Sequence, residues 1–382
     1  MTPVNASWAE ASHILCIRLD TIGDVLMTTP AIRALKRSRP DRRITLLTSS
    51  AGAKVAPFIP EVDETLVYDA PWMKATAVRP NSEPEQAMVD QLRRAGFDAA
   101  VIFTVFSQNP LPAAFLCYLA DIPLRLAHCH ENPYQLLTDW VPDPEPAQFI
   151  RHEVRRHLDL VAEAGSQTAD ERLSMRVPVG APERVRRLLH ERGLAEERPF
   201  IVIHPGVTAP SRQYPALQYA AAAQRLAQEY NWQIVFTGSG SEDSLITFIR
   251  QNMAAPSISL VNCLDLGELG ALLQMSALLI ANNTGPVHVA AAVGAPVVDL
   301  YALTNPQHTP WAVPHRVLFH DVPCKYCFKS VCPEGHHHCL RLVTPDEVVA
   351  AAQALLAETH KPQEWSNPED RSHLATLKTN EY

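Results

Sequence analysis

Asp24 follows a glycine in the run Arg18-Leu-Asp-Thr-Ile-Gly-Asp-Val-Leu-Met-Thr-Thr-Pro30. A carboxylate so placed has two uses. Gly23 lets the backbone turn sharply after a strand, which puts Asp24 at a helix start. There the carboxylate caps the helix by accepting backbone N–H groups. Alternatively it acts as a general base that takes a proton from an acceptor hydroxyl. A second group is His204-Pro-Gly-Val-Thr-Ala-Pro-Ser-Arg212-Gln-Tyr-Pro215. A glycine turn with hydroxyls and a cation suits a diphosphate, to which Arg212 presents a two-pronged fork. The alternative is a plain surface loop.

A third group is Ile280-Ala-Asn-Asn-Thr-Gly-Pro-Val-His-Val-Ala-Ala-Ala292. Here a strand ends, a Thr-Gly turn follows and a small-residue helix begins. Free N–H groups and a positive dipole at the helix start favour a phosphate, with Thr284 and Gly285 as donors. His288 lies about one turn in, where a histidine is more often packed than catalytic. Thr237-Gly-Ser-Gly-Ser-Glu242 ends another strand but is too short for a dinucleotide fingerprint. Glu242 opens a helix, so pairing with the helix dipole is its simplest role.

Four of the eight cysteines crowd together as Cys324-x2-Cys327-x4-Cys332-x6-Cys339, with His336, His337 and His338 just before the last. Four thiolates can close a tetrahedral site around zinc or iron, structural rather than catalytic because no position stays open. The alternative is four reduced, unligated thiols.

The elements that must position these groups alternate. Strands are expected at 13–19, 43–48, 65–68, 99–105, 200–204, 232–237, 258–261, 277–281 and 296–301. Helices are expected at 25–38, 150–164, 214–230, 242–253, 266–276 and 285–293. Alternation of this kind gives α/β units with parallel sheets. Pro178, Gly180, Pro182 and Pro199 punctuate a linker. The expected organisation is therefore two nucleotide-fold domains, 1–178 and 199–358, with a disordered polar tail at 359–382. Ligands of such sheets bind at the carboxyl ends of strands, where all of these motifs fall.

The chain has 382 residues, 47% of them apolar, which suffices for two sizeable cores. Its net charge of −8 argues against a nucleic-acid partner. A basic cluster from Arg33 to Arg43 reads as a solvated helix end or as a patch for phosphates or an anionic membrane, so membrane contact is at most peripheral. No run of about 18 apolar residues suggests a span. The first 12 residues lack the features of a signal peptide, so a cytoplasmic protein is expected, at most at the inner face of the membrane.

Taken together, Arg18–Pro30, the 204–215 loop and 280–292 resemble the bacterial heptosyltransferases, glycosyltransferase family 9, over roughly residues 13–350. The resemblance implies the GT-B fold, two Rossmann-like domains facing across a cleft. It implies inverting transfer without a catalytic metal, of a heptose from ADP-heptose to a lipopolysaccharide-type glycan. The partners implied are a nucleotide-sugar donor and a glycan or glycolipid acceptor. Asp24 maps onto the proposed base. Thr208, Ser211 and Arg212 fall in the donor-phosphate loop, and Glu242 takes the place of a glutamate that binds ribose hydroxyls. Leu264 falls at the adenine pocket, where an apolar residue is equally expected as core. In the family signature an aspartate that contacts the donor sugar precedes Thr284. Here it is Asn283, which keeps the reach but loses the charge. Some relatives carry a cysteine cluster, in certain cases with iron. Two other readings stay open: a nucleotide-sugar epimerase on this fold, and a non-catalytic nucleotide-sugar-binding protein.

Overall fold

The computed structural model describes residues 7–74 and 76–359. The expected tail lies outside the described residues except for Thr359, the last residue of the final helix. The first half runs β1 (His13–Arg18), α1 (Ile22–Ser38), β2 (Arg43–Thr48), β3 (Glu64–Val67), α2 (Glu83–Ala95), β4 (Ala99–Ile102), α3 (Leu111–Leu119), β5 (Leu124–Cys129), β6 (Asp139–Pro142), α4 (Glu153–Glu163) and α5 (Ala181–Glu191). The second half runs β7 (Phe200–His204), α6 (Ala216–Glu229), β8 (Gln233–Phe236), α7 (Asp243–Gln251), β9 (Ile258–Ser259), α8 (Leu266–Met275), β10 (Leu278–Asn282), α9 (Gly285–Val293), β11 (Val297–Leu300), β12 (His315–Leu318), α10 (His338–Arg341) and α11 (Pro345–Thr359).

Each half carries a six-stranded sheet, in the orders β3-β2-β1-β4-β5-β6 and β12-β11-β10-β7-β8-β9, with every pairing parallel. Counted from its own first strand, the second sheet has the same order as the first. Strand order therefore reverses at the β1/β4 pair in one half and at the β7/β10 pair in the other. Such a point opens a crevice at the carboxyl ends of the strands, the ligand site of doubly wound sheets.

The two halves do not have wholly separate cores. One apolar cluster runs from Ile14, Leu26 and Val154 through Val185 and Leu272 to Val202, Leu279 and Val287. It joins α1 and α4 to α5, α8 and α9, so the floor of the crevice is packed.

Helix α1 begins at Ile22, three residues earlier than expected. A capping box explains the early start: Thr21 N and Thr21 Oγ1 both donate to Asp24 Oδ2, at 2.9 and 2.7 Å. Pro30 thus lies inside the helix rather than in its first turn. A proline there cannot donate to the carbonyl four residues back. Thr29 Oγ1 supplies the missing donor to Leu26 O at 2.6 Å.

The basic cluster is largely paired within the chain, with Arg37 exposed in the last turn of α1. Arg33 is buried and pairs with Glu61 at 2.8 Å. Arg42 is buried and donates to the carbonyls of Trp8, Ala11 and Leu35. Lys36 pairs with Asp63, Arg39 with Asp41 and Arg43 with Glu64. No helix among the described residues is long and apolar enough to cross a membrane.

Candidate functional site

The loops leaving the two reversal points meet. A Cβ on Gly23 would stand 2.6 Å from His288 Cδ2, so only glycine lets the start of α1 lie against the start of α9. Gly23 thus serves close packing across the cleft, besides any role in the turn. His288 is buried and neutral: burial first, then the nearby His308, push its pKa down to about 3.

Asp24 caps α1 from the third helical position, and its second oxygen faces Arg18 NH2 at 3.4 Å. The capping and base readings therefore do not compete. The bonds from Thr21 hold the carboxylate in place, and the side chain stays 18% exposed. Arg18 is wholly buried at the end of β1, between Asp20 (3.3 Å), Asp24 and Glu153 (2.5 Å). Three carboxylates surround one guanidinium there, and Arg18 holds the Glu153 carboxyl well below its usual range against the opposing effect of burial. Asp20 behaves differently: burial pushes its pKa up to about 6 despite Arg18.

Sequence spacing gave no sign of two members of this cluster. Glu153 opens α4 and is fully buried, and His308 comes from the loop after β11 in the other half. His308 Nε2 lies 2.5 Å from Glu153 Oε2. Ligand atoms of Asp24, Glu153 and His308 lie within 4.8 Å of one another. The Arg18 guanidinium already supplies a cation to two of these three groups.

On the donor side, Arg212 reaches the start of α9, where NH1 donates to Asn283 O at 3.4 Å. Thr284 is the N-cap of α9, in extended backbone, with its hydroxyl donating to Asn282 O. A Cβ on Gly285 would meet nothing within 4 Å, so the helix start is open. Asn282 ties the two motifs together: its amide nitrogen donates to Pro205 O at 2.8 Å and its oxygen accepts from Tyr214 N at 3.0 Å. Thr208 is exposed. Ser211 is buried, and its hydroxyl donates inward to Lys329 O at 2.7 Å, so this hydroxyl is committed within the chain. Glu242 Oε2 accepts from Ser239 N and Oγ, a second capping box, and its carboxylate lies over Gly206. Leu264 lines a small cavity with Arg184, Leu188 and Glu268.

The amide nitrogen of buried Asn283 donates to His308 O at 2.9 Å and faces Asp299 Oδ2 at 3.5 Å. Only its oxygen is left for a sugar hydroxyl.

Cys324, Cys327, Cys332 and Cys339 are free thiols around one loop. Burial first, and then the sulfurs of Cys332, Cys324 and Cys327, raise the Cys339 thiol. Cys324 Sγ lies 3.9 Å from His336 Nε2, but among the described residues no three of these ligand atoms come within 4.8 Å of one another. The loop buttresses the 204–215 loop, because Ser211 N donates to Ser330 O at 3.0 Å. It also reaches the first half, where Phe328 packs edge-on to Phe106.

Comparison with known proteins agrees with this arrangement. The chain is 25% identical over 355 residues to "Lipopolysaccharide heptosyltransferase 2" of Salmonella typhimurium, covering 90% of this chain and 99% of that one. Its fold matches the crystal structure of the glycosyl transferase family 9 from Veillonella parvula, with TM-score 0.76, 22% identity and coverage of 93% and 100%. It also matches E. coli ADP-heptose lps heptosyltransferase II, with TM-score 0.69, 24% identity and coverage of 91% and 99%. Residues 86–338 match Glycosyltransferase family 9 (heptosyltransferase). With two parallel sheets in the GT-B arrangement and the family's match over most of its length, this chain belongs to glycosyltransferase family 9 and is a glycosyltransferase.

Proposed function

We propose that the chain transfers a heptose from ADP-heptose to a hydroxyl of a lipopolysaccharide-type glycan. The observation that carries this reading is the meeting of Gly23 and His288, which brings the carboxylate of Asp24 and the open start of α9 to one cleft. Asp24 takes the proton of the acceptor hydroxyl, whose oxygen attacks the anomeric carbon from the face opposite the nucleotide. The bond to the diphosphate breaks, and its charge falls on Arg212 and on the N–H groups at Thr284 and Gly285. Stabilising that developing charge is the larger contribution, since these donors are fixed before the reaction begins. Glu242 binds the ribose hydroxyls in this reading, and the oxygen of Asn283 accepts from a donor-sugar hydroxyl. A lipid-linked acceptor would bring the protein to the inner face of the cytoplasmic membrane.

The four cysteines are read as the holders of a structural zinc or iron. Soft thiolates in one loop are the donor set these metals prefer. Elemental analysis of purified protein checks this, with about one metal per chain as the expected result.

The test of the transfer reading is mass spectrometry of reactions containing ADP-heptose, GDP-heptose or UDP-sugars, with and without extracted bacterial lipopolysaccharide. ADP release that needs the acceptor is the expected result. Release without acceptor, or from another nucleotide sugar only, would overturn the donor and acceptor assignment.

A further inference from the structure

The loop after β11 does more than pass beside the donor site. Its residues 307–311 dock onto the first turn of α4 and the segment leading into it, across the cleft. Glu153 N donates to Gln307 O at 3.1 Å, and Gln307 Nε2 donates to Arg151 O at 3.1 Å. His152 Nε2 meets Thr309 O at 2.9 Å, and its ring packs on Trp311 with centroids 4.5 Å apart. Trp311 Nε1 donates to Glu171 O at 2.8 Å. At the centre of this contact, His308 Nε2 reaches the wholly buried Glu153 carboxylate.

On the donor side the same loop is held by Asn283, whose amide nitrogen donates to His308 O. An ionised aspartate in that place has no N–H to give. It would also put a second carboxylate against the buried Asp299. The asparagine in the family signature and the histidine in the loop thus belong to one arrangement. On the acceptor side Glu153 Oε1 pairs with Arg18, which in turn faces Asp24. An unbroken series of contacts runs from the end of β10 to the candidate base.

We propose that Asn283, His308 and Glu153 are positioning residues that latch the 307–311 loop across the cleft and, through Arg18, fix the carboxylate of Asp24. The loop and α4 belong to opposite halves, so the latch holds the cleft closed and water out during transfer. The catalytic part of this inference rests on Asp24 being the base, whereas the docking does not.

Hydrogen exchange of the full-length protein, without any donor, tests the docking. In His308→Phe and in Asn283→Asp, amides of 151–155, 305–311 and the first turn of α1 should exchange roughly tenfold faster, as expected for loss of a buried charge-assisted contact. Strands β2 and β8 should be unchanged. Exchange unchanged at 151–155, or faster throughout both sheets, would overturn the latch. The double variant should be no faster than the faster single one, since both remove one coupled contact. Kinetics with ADP-heptose and extracted lipopolysaccharide supply the second readout. His308→Phe should lower kcat roughly tenfold with donor KM changed by less than about threefold, and His308→Gln, which keeps an N–H for Glu153, should recover part of the loss. A raised KM with unchanged kcat would overturn the positioning role and make this group a donor-binding element. If the unaltered protein shows no turnover at all, the reading of Asp24 fails, and the exchange data alone then decide the docking.

Discussion

The carboxylate of Glu242 occupies the space that a side-chain carbon on Gly206 would need. The His-Pro-Gly loop after β7 and the Gly-Ser-Gly-Ser-Glu turn after β8 are therefore interlocked, as one wall of the proposed donor site. Gly206→Ala should push Glu242 off its bonds to Ser239. Overpacking of this kind costs about 1–3 kcal/mol. Titration calorimetry with ADP should show weaker binding by roughly tenfold or more, and an unchanged affinity would separate Glu242 from the donor site.

Arg18 is the buried cation of the cleft, and its three carboxylate neighbours depend on it. Removing the guanidinium strands the wholly buried Glu153 carboxylate without its strongest partner. Arg18→Met should cost about 3–5 kcal/mol of stability. The fall in the urea midpoint measures it. A loss under about 1 kcal/mol would mean that water reaches these carboxylates.

Acid should weaken the fold through its buried, neutral histidines. Burial, first among the causes in each case, lowers His128 and His152 to about 4 and His288 to about 3, from an ordinary value of 6.5. A base whose pKa is lowered on folding adds stability that is present above pH 6.5 and lost as pH falls through the folded value. Asp20, raised to about 6 from 3.8, works the other way and gains stability as pH falls over that interval. Three groups outweigh one, so the urea midpoint should drop between pH 7 and pH 4.5. A midpoint that rises would show that these histidines are solvated.

Loosening the cysteine loop should be felt at the phosphates, because Ser211 is bonded to Lys329 and Ser330 in that loop. On the reading that the four thiolates hold a metal, Cys324→Ser, or treatment with a strong chelator, should release it and weaken ADP binding severalfold while leaving most of the thermal transition intact. Undiminished ADP binding after complete metal loss would make the cluster independent of the donor site.

Much of the fold was legible because its central strands are short apolar runs with turn signals at their ends. Strands β1, β2 and β7 and helix α9 match the expected spans closely. Strand β5 was missed because it carries Arg125 and His128. Both are buried, and Arg125 is satisfied inside by the carbonyls of Ile122, Gln135 and Leu136. Strand β6 was hidden among prolines and acidic residues. The start of α1 was misplaced because Thr21 and Asp24 form a capping box ahead of the apolar pattern. Of the site, the motifs at strand ends were readable as local patterns. Glu153 and His308 were not, since they meet only when the halves pack together and neither sits in a local pattern. Ser211 shows the reverse case: a hydroxyl in a phosphate-like loop turned inward to a distant backbone, which no local pattern can reveal.

The central claim is that Asp24 removes the acceptor proton, and Asp24→Asn tests it most directly. The amide keeps the shape at Thr21 and cannot act as a base. With ADP-heptose and extracted lipopolysaccharide, acceptor-dependent ADP release should fall by roughly 10²–10⁴-fold while ADP affinity stays within a few-fold. Turnover near that of the unaltered protein would contradict the account and leave Asp24 as a helix cap alone.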